Sequence, residues 1–183
     1  MKKQLFLLVV AAAFSLSACS NDNSYGNQMS SNDTQMEHNS HSSSGEVPKD
    51  LRVAENPTYK VGSEAVIQTD HMEGMKGAIA TIVGAYETTA YNVSYRPTTG
   101  GQPVTNHKWI IHEEIKEAKD ISYQPGSEVI MEADHMKDMK GATAQINSAE
   151  KTTVYMINYK PTTGGDEVKN HKWVTEDELS PVK

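Results

Sequence analysis

Apolar and polar positions are distributed along the chain in three regimes. Leu5 to Phe14 is an unbroken apolar run of ten residues. Ser20 to Gly45 is mostly Ser, Asn, Asp, Gln and Gly, with Thr34 its one β-branched or Leu-type residue. From Tyr59 onward apolar and polar residues alternate mainly with period two, the pattern of half-buried strands. Ala65–Ile67, Ala78–Val83, Thr89–Tyr95 and Lys108–Ile111 read as short strands, with a Pro97–Gly101 turn between the last two. Proline presets one dihedral of that turn and the glycines accept positive φ. His112–Ala118 has helical character, and Glu176–Leu179 is the shorter matching turn near the C-terminus.

The alternating region is an internal duplication. Tyr59–Ile110 aligns without a gap onto Tyr123–Val174 at a constant offset of 64, with 28 of 52 positions identical. Asp70-His71-Met72 recurs as Asp134-His135-Met136, and Met75-Lys76-Gly77-Ala78 as Met139-Lys140-Gly141-Ala142. The turn recurs as Pro161–Gly165, and Asn106-His107-Lys108-Trp109 recurs as Asn170-His171-Lys172-Trp173. This divides the chain into a leader (1–18), a tether (19–50), a first repeat with its linker (51–118) and a second repeat (119–183). Each unit of about 60 residues is near the lower limit for folding alone. Short strands at this spacing predict an all-β fold of two tandem small antiparallel barrels, SH3-like or KOW-like by analogy.

The leader changes the picture of where the protein works. Lys2 and Lys3 precede the apolar run, which is too short to span a bilayer as a mature helix. It suits the core of a secretory signal. Leu16-Ser17-Ala18-Cys19 resembles a lipobox, which implies cleavage before Cys19 and lipid attached to it. The expected location is the extracellular face of the cell membrane. Cys19 is the single cysteine, so the fold has no internal disulfide to rely on. Removing residues 1–18 removes two of 17 basic residues and none of the 24 acids, taking the net charge from −7 to −9. Such an acidic chain is a poor partner for nucleic acid. The tether buries too little apolar surface to offset the entropy of ordering, so it reads as disordered.

Candidate chemistry lies in methionine and histidine. His71, Met72 and Met75, with their twins His135, Met136 and Met139, bring soft thioethers and borderline imidazoles together, a set that favours copper and above all Cu(I). The other reading is structural: methionine fills irregular core gaps, and an Asp-His pair can bond its own loop backbone. His107 and His171, beside Trp109 and Trp173, are either packed histidines or additional ligands. In the tether, Met36, His38 and His41 place three soft or borderline groups within six residues, as metal-binding tracts do. The contrary reading is chance in a polar linker. No nucleophile with a partnered base, zinc-protease helix motif or phosphate loop followed by a helix is present, so no enzymatic activity is expected. A competing function is a module that recognises peptide or cell-wall polymer without metal. Tyr91, Tyr95, Tyr155 and Tyr159 would then form part of its surface, unless they pack inside.

The pattern Asp-His-Met-x-x-Met-Lys-Gly-Ala, then Tyr-x-x-x-Tyr-x-Pro-Thr-Thr-Gly-Gly, then Asn-His-Lys-Trp resembles the YdhK-like lipoproteins of Gram-positive bacteria, over residues 59–179. The resemblance implies a tandem SH3-like β fold carried behind a lipobox. Some similar lipoproteins occur with copper-resistance functions and bind copper outside the cell, so it also implies copper as a partner and copper tolerance as a role. The second loop departs at Asp138, which stands where the first has Gly74, and this puts a common loop geometry in question.

Overall fold

The computed structural model describes residues 42–183. The leader, Cys19, Met36, His38 and His41 lie outside the described residues.

The described residues form eight strands, all antiparallel members of one sheet. They are β1 (Arg52–Val53), β2 (Glu64–Ile67), β3 (Ile79–Tyr95), β4 (Val104–Ile111), β5 (Glu128–Ile130), β6 (Thr143–Tyr159), β7 (Val168–Thr175) and β8 (Leu179–Pro181). Two single 3₁₀ turns, η1 (His112–Glu114) and η2 (Glu176–Glu178), follow β4 and β7. The all-β expectation holds. The sheet path runs β5-β6-β3-β2-β8, with β1 and β4 added on β3 and β7 on β6, and it does not close on itself.

The two strands expected at 78–83 and 89–95 are one 17-residue strand, and its twin β6 has the same length. Thr88-Thr89, midway along, are β-formers, and no proline or turn interrupts the run. A register shift around Val83 on β3 and another around Asn147 on β6 break the ladder at positions related by the repeat offset. Such bulges bend a long strand and increase its twist. Each long strand can therefore serve a different core with each half.

The cores do not follow the repeat boundary. One joins Ala65, Ile67, Met75, Ala78, Ala80 and Ile82 of the first repeat to Tyr155, Ile157, Tyr159, Val174 and Leu179 of the second. Its counterpart joins Tyr91, Val93, Tyr95, Ile110 and Ile115 to Val129, Met131, Met139, Ala144 and Ile146. A third cluster between them holds Leu51, Ala90, Trp109, Ile111, Val154, Met156 and Trp173. The exchange is completed by short segments after the 3₁₀ turns. β8 pairs with β2, and Ile115 bridges Met131 beside β5.

That bridge explains why the helix expected over 112–118 stops after Glu114. Ile115 must be extended to bond Met131 and to bury its side chain in the second core, where it is 4% exposed. A continued helix would withdraw it from both. Trp109 and Trp173 are buried, as a packing role requires.

Candidate functional site

A loop joins β2 to β3 in the first repeat and β5 to β6 in the second, and these loops present the Asp-His-Met groups. The first is closed at its base by Ile67 N–H donating to Ala78 O and Gly77 N–H to Ile67 O, at 2.9 and 2.8 Å. The second repeats this with Met131, Ala142 and Gly141 at 3.0 and 2.8 Å. Inside the loops, Met75 N–H donates to Met72 O and Met139 N–H to Met136 O, each closing a tight turn. The two methionines of a loop therefore diverge. Met75 and Met139 are fully buried in the cores, whereas Met72 is half-buried and Met136 exposed. The expectation that Met75 and Met139 are ligands gives way to packing, because the turn directs them under the loop as its anchor.

The Thr-Thr-Gly-Gly turn of each repeat holds the loop of the other. Thr98 N–H donates to Asp138 O at 3.0 Å, and Thr162 N–H to Gly74 O at 2.9 Å. Thr99 Oγ1 donates to Asp138 Oδ2 at 2.8 Å. Gly74 and Asp138 share positive φ, at 76° and 61°, so the loops share their backbone geometry despite the substitution. Asp tolerates that region better than most residues.

Both loops open onto one cleft of about 1240 Å³. Its lining includes His71, Met72, His135 and Met136 from the loops, and His107 and His171 from β4 and β7. His107 and His135, from different repeats, have ring centroids 6.4 Å apart. His107 stands edge-on to Tyr95 at 6.1 Å, and His171 edge-on to Tyr159 at 5.9 Å. These histidines therefore both pack and line the cleft. Tyr95 Oη also reaches Met136 Sδ at 3.9 Å. Seven carboxylates and three lysines complete the ionisable lining, an excess of negative charge that draws cations. Among the described residues no three His, Asp or Glu side chains converge on a point that would hold a metal ion.

Two carboxylates that the sequence reading passed over organise the histidines. His71 Nε2 lies 2.7 Å from Glu178 Oε1, and His135 Nε2 lies 2.7 Å from Glu114 Oε1. Each pair joins one repeat to the other. Glu178 Oε2 also accepts from Trp109 Nε1 at 2.8 Å and from Thr175 N–H at 3.1 Å. Glu114 Oε2 accepts from Trp173 Nε1 and Ile111 N–H, both at 3.1 Å. Burial works to raise the Glu178 carboxyl. The hydrogen bond and charge of His71, with the Trp109 and Thr175 N–H groups, outweigh it and hold the carboxyl at about 2. Continuing the 64-residue offset past Val174 would have found both carboxylates, since Glu114 and Glu178 are themselves 64 apart.

The four tyrosines are buried, so they offer no ring faces to a peptide or polymer. Burial pushes Tyr159 up to about 12. Residues 43–46, expected as part of the disordered tether, instead lie along β7 at the rim of the cleft. Ser43 N–H donates to Lys169 O at 2.9 Å, Ser43 Oγ donates to Asn170 O at 2.7 Å, and Lys172 Nζ reaches Glu46 O. Among the described residues no helix is long and apolar enough to cross a membrane.

Comparison with known proteins agrees with the duplication. A family model described as "Protein of unknown function (DUF1541)" matches twice, at residues 61–112 and 125–176. The "Uncharacterized protein YdhK" of Bacillus subtilis (strain 168) is 58% identical over 182 residues, which cover 98% of this chain and 89% of that protein. A crystal structure of the B. subtilis ydhK protein superposes with a TM-score of 0.75 at 66% identity, covering 77% of this chain and 96% of that one. A solution NMR structure of the ydhK C-terminal domain gives 0.63 at 69% identity, covering 66% and 92%.

Proposed function

This chain belongs to the DUF1541 family, whose description assigns no activity, and from the chemistry of its cleft we propose that it is an exported lipoprotein that binds copper outside the cell and limits its entry. The observation that carries this reading is the convergence of four histidines and two methionines, drawn from both repeats, on one acidic cleft. Imidazole and thioether together select Cu(I) over hard cations, and a thioether needs no deprotonation to bind. His107, His135 and Met136 form one candidate set, and His71, His171 and Met72 are its counterparts. Cys19 is assigned to the lipid anchor at the extracellular face of the membrane, and residues 19–41 to the tether that carries the folded region. Met36, His38 and His41 would extend copper capture onto that tether.

We also read each mixed core as an SH3-like barrel completed by the other repeat. The order β8-β2-β3-β6-β7 around the first core, with a 3₁₀ turn before the last strand, supports that reading.

The test is competition between the protein from Ser20 onward and a chromogenic Cu(I) chelator. Wild type is expected to withdraw copper, and a variant with His107→Gln, His135→Gln, Met72→Leu and Met136→Leu to lose most of that capacity. No competition by wild type would overturn the reading. Undiminished competition by the variant would move the site to Met36, His38 and His41. Retention on purified cell wall in the presence of chelator would favour a polymer-binding module instead.

A further inference from the structure

The cleft histidines differ in how they are held, and the difference concerns which ring nitrogen is offered to a ligand. His71 and His135 are about nine-tenths buried, with side chains 10% and 9% exposed. Each places Nε2 2.7 Å from a carboxylate oxygen of the other repeat, Glu178 or Glu114. Those carboxylates are themselves fixed at their second oxygen by an indole N–H and a backbone N–H. A carboxylate accepts, so Nε2 carries the proton. The other nitrogen, Nδ1, is buried in both rings and meets no hydrogen-bond partner among the described residues. A buried polar atom without a protein partner is uncommon and is open to a water or an ion. At a pH where the ring is neutral, a proton held on Nε2 leaves the lone pair on Nδ1, and a histidine that donates one N–H to a carboxylate while the other nitrogen meets a metal is a recurrent arrangement.

We infer that Glu114 and Glu178 are positioning residues for copper: each fixes the tautomer and ring orientation of a histidine in the opposite repeat, so that Nδ1 of His135 and of His71 is the ligating atom. This rests on the copper reading above. It assigns the ligating atoms, and it makes each binding set depend on both halves of the duplication. A single repeat carries a histidine and a carboxylate that are never partners.

The test has two arms. Two-bond ¹H–¹⁵N spectra of uniformly labelled wild-type protein without metal are expected to show His71 and His135 protonated at Nε2 and bare at Nδ1. Addition of Cu(I) should shift Nδ1 and leave Nε2 protonated. In the second arm, Glu114→Gln and Glu178→Gln are each compared with wild type by chelator competition and thermal unfolding. The expected result is a loss of Cu(I) affinity of about 10- to 100-fold at the affected set, with the other set retained. Protonated Nδ1 in the metal-free wild type would overturn the inference whatever the variants do, so the first arm decides it should either variant fail to fold. Folded variants that compete as wild type does would overturn it while leaving the copper reading intact. Failure of wild type to compete at all would remove the copper reading, and this inference with it.

Discussion

Thr88 and Thr152 sit opposite one another at the centre of the β3–β6 pair, and they are the same residue of the two repeats. The pair therefore marks a pseudo-two-fold axis. Glu87 pairs with Thr153 and Thr89 with Lys151, and the two bulges fall at equal distances on either side. Everything the repeats exchange follows from this crossing, including β8 onto β2, Ile115 onto Met131, and each cleft histidine onto the other repeat's glutamate.

The axis predicts how an isolated repeat behaves. Residues 119–183 alone lack the strand halves and the closing segment that complete both cores they enter. Two copies crossing at Thr152 would supply them, since a two-fold can replace the pseudo-two-fold and exchange of an identical element is a low-cost route to a dimer. The expected result by light scattering is a folded homodimer that becomes unfolded monomer on dilution. A stable folded monomer would contradict the exchange.

Methionines of one loop should separate into two kinds. Met75→Ala and Met139→Ala each empty a fully buried core position and are expected to cost about 2–5 kcal/mol in urea unfolding. Met72→Leu and Met136→Leu keep volume at half-buried or exposed positions, should change stability by less than about 1.5 kcal/mol, and should weaken Cu(I) competition. Stability loss at Met136 matching that at Met139 would refute the division.

Acid should loosen the joint between the repeats through Glu178. Its carboxyl titrates at about 2 in the folded protein against an ordinary 4.5, so the unfolded chain binds the proton first as pH falls. Stability from this group is whole above about pH 4.5 and is lost progressively toward pH 2. Thermal midpoints measured over that range should fall, and Glu178→Gln should lower the midpoint at neutral pH while flattening its acid decline. An unchanged decline would place the acid sensitivity elsewhere.

Period-two alternation in β2, β3 and their twins made the strands and the duplication legible, because a half-buried strand must alternate whichever neighbour covers it. It carries no information on which repeat supplies that neighbour. Ala80 and Ile82 lie in a strand legible from the sequence, yet Ile157 and Tyr159 join them in the same core from 75 residues or more along the chain. The separate barrels expected for 51–118 and 119–183 gave way there. The linker misled for a related reason. Glu113-Glu114 suit a helix in isolation, while Ile115 is claimed by Met131. Of the site, His71, Met72, His135 and Met136 were visible as a motif; Glu114 and Glu178 were marked only by the repeat offset, because the histidine and indole each one holds belong to the other repeat.

The loop position at which Gly74 faces Asp138 across the repeat offset gives the last prediction. A Cβ added at Gly74 would lie 2.5 Å from Thr163 Oγ1 and 2.9 Å from Pro161 Cβ, on backbone already at φ 76°. Gly74→Ala therefore combines left-handed strain with a clash against the turn that clasps the loop, and is expected to cost about 1–3 kcal/mol. At Asp138 the same backbone is occupied by a residue whose carboxylate accepts from Thr99 Oγ1. Asp138→Gly relieves the strain but loses that bond, two effects of about 1 kcal/mol each and opposite sign, so stability should move little. Thr99→Val should then destabilise wild type more than it does the Asp138→Gly variant. Urea unfolding of the four proteins completes the cycle, and strict additivity would show that Thr99 does not hold the second loop through Asp138.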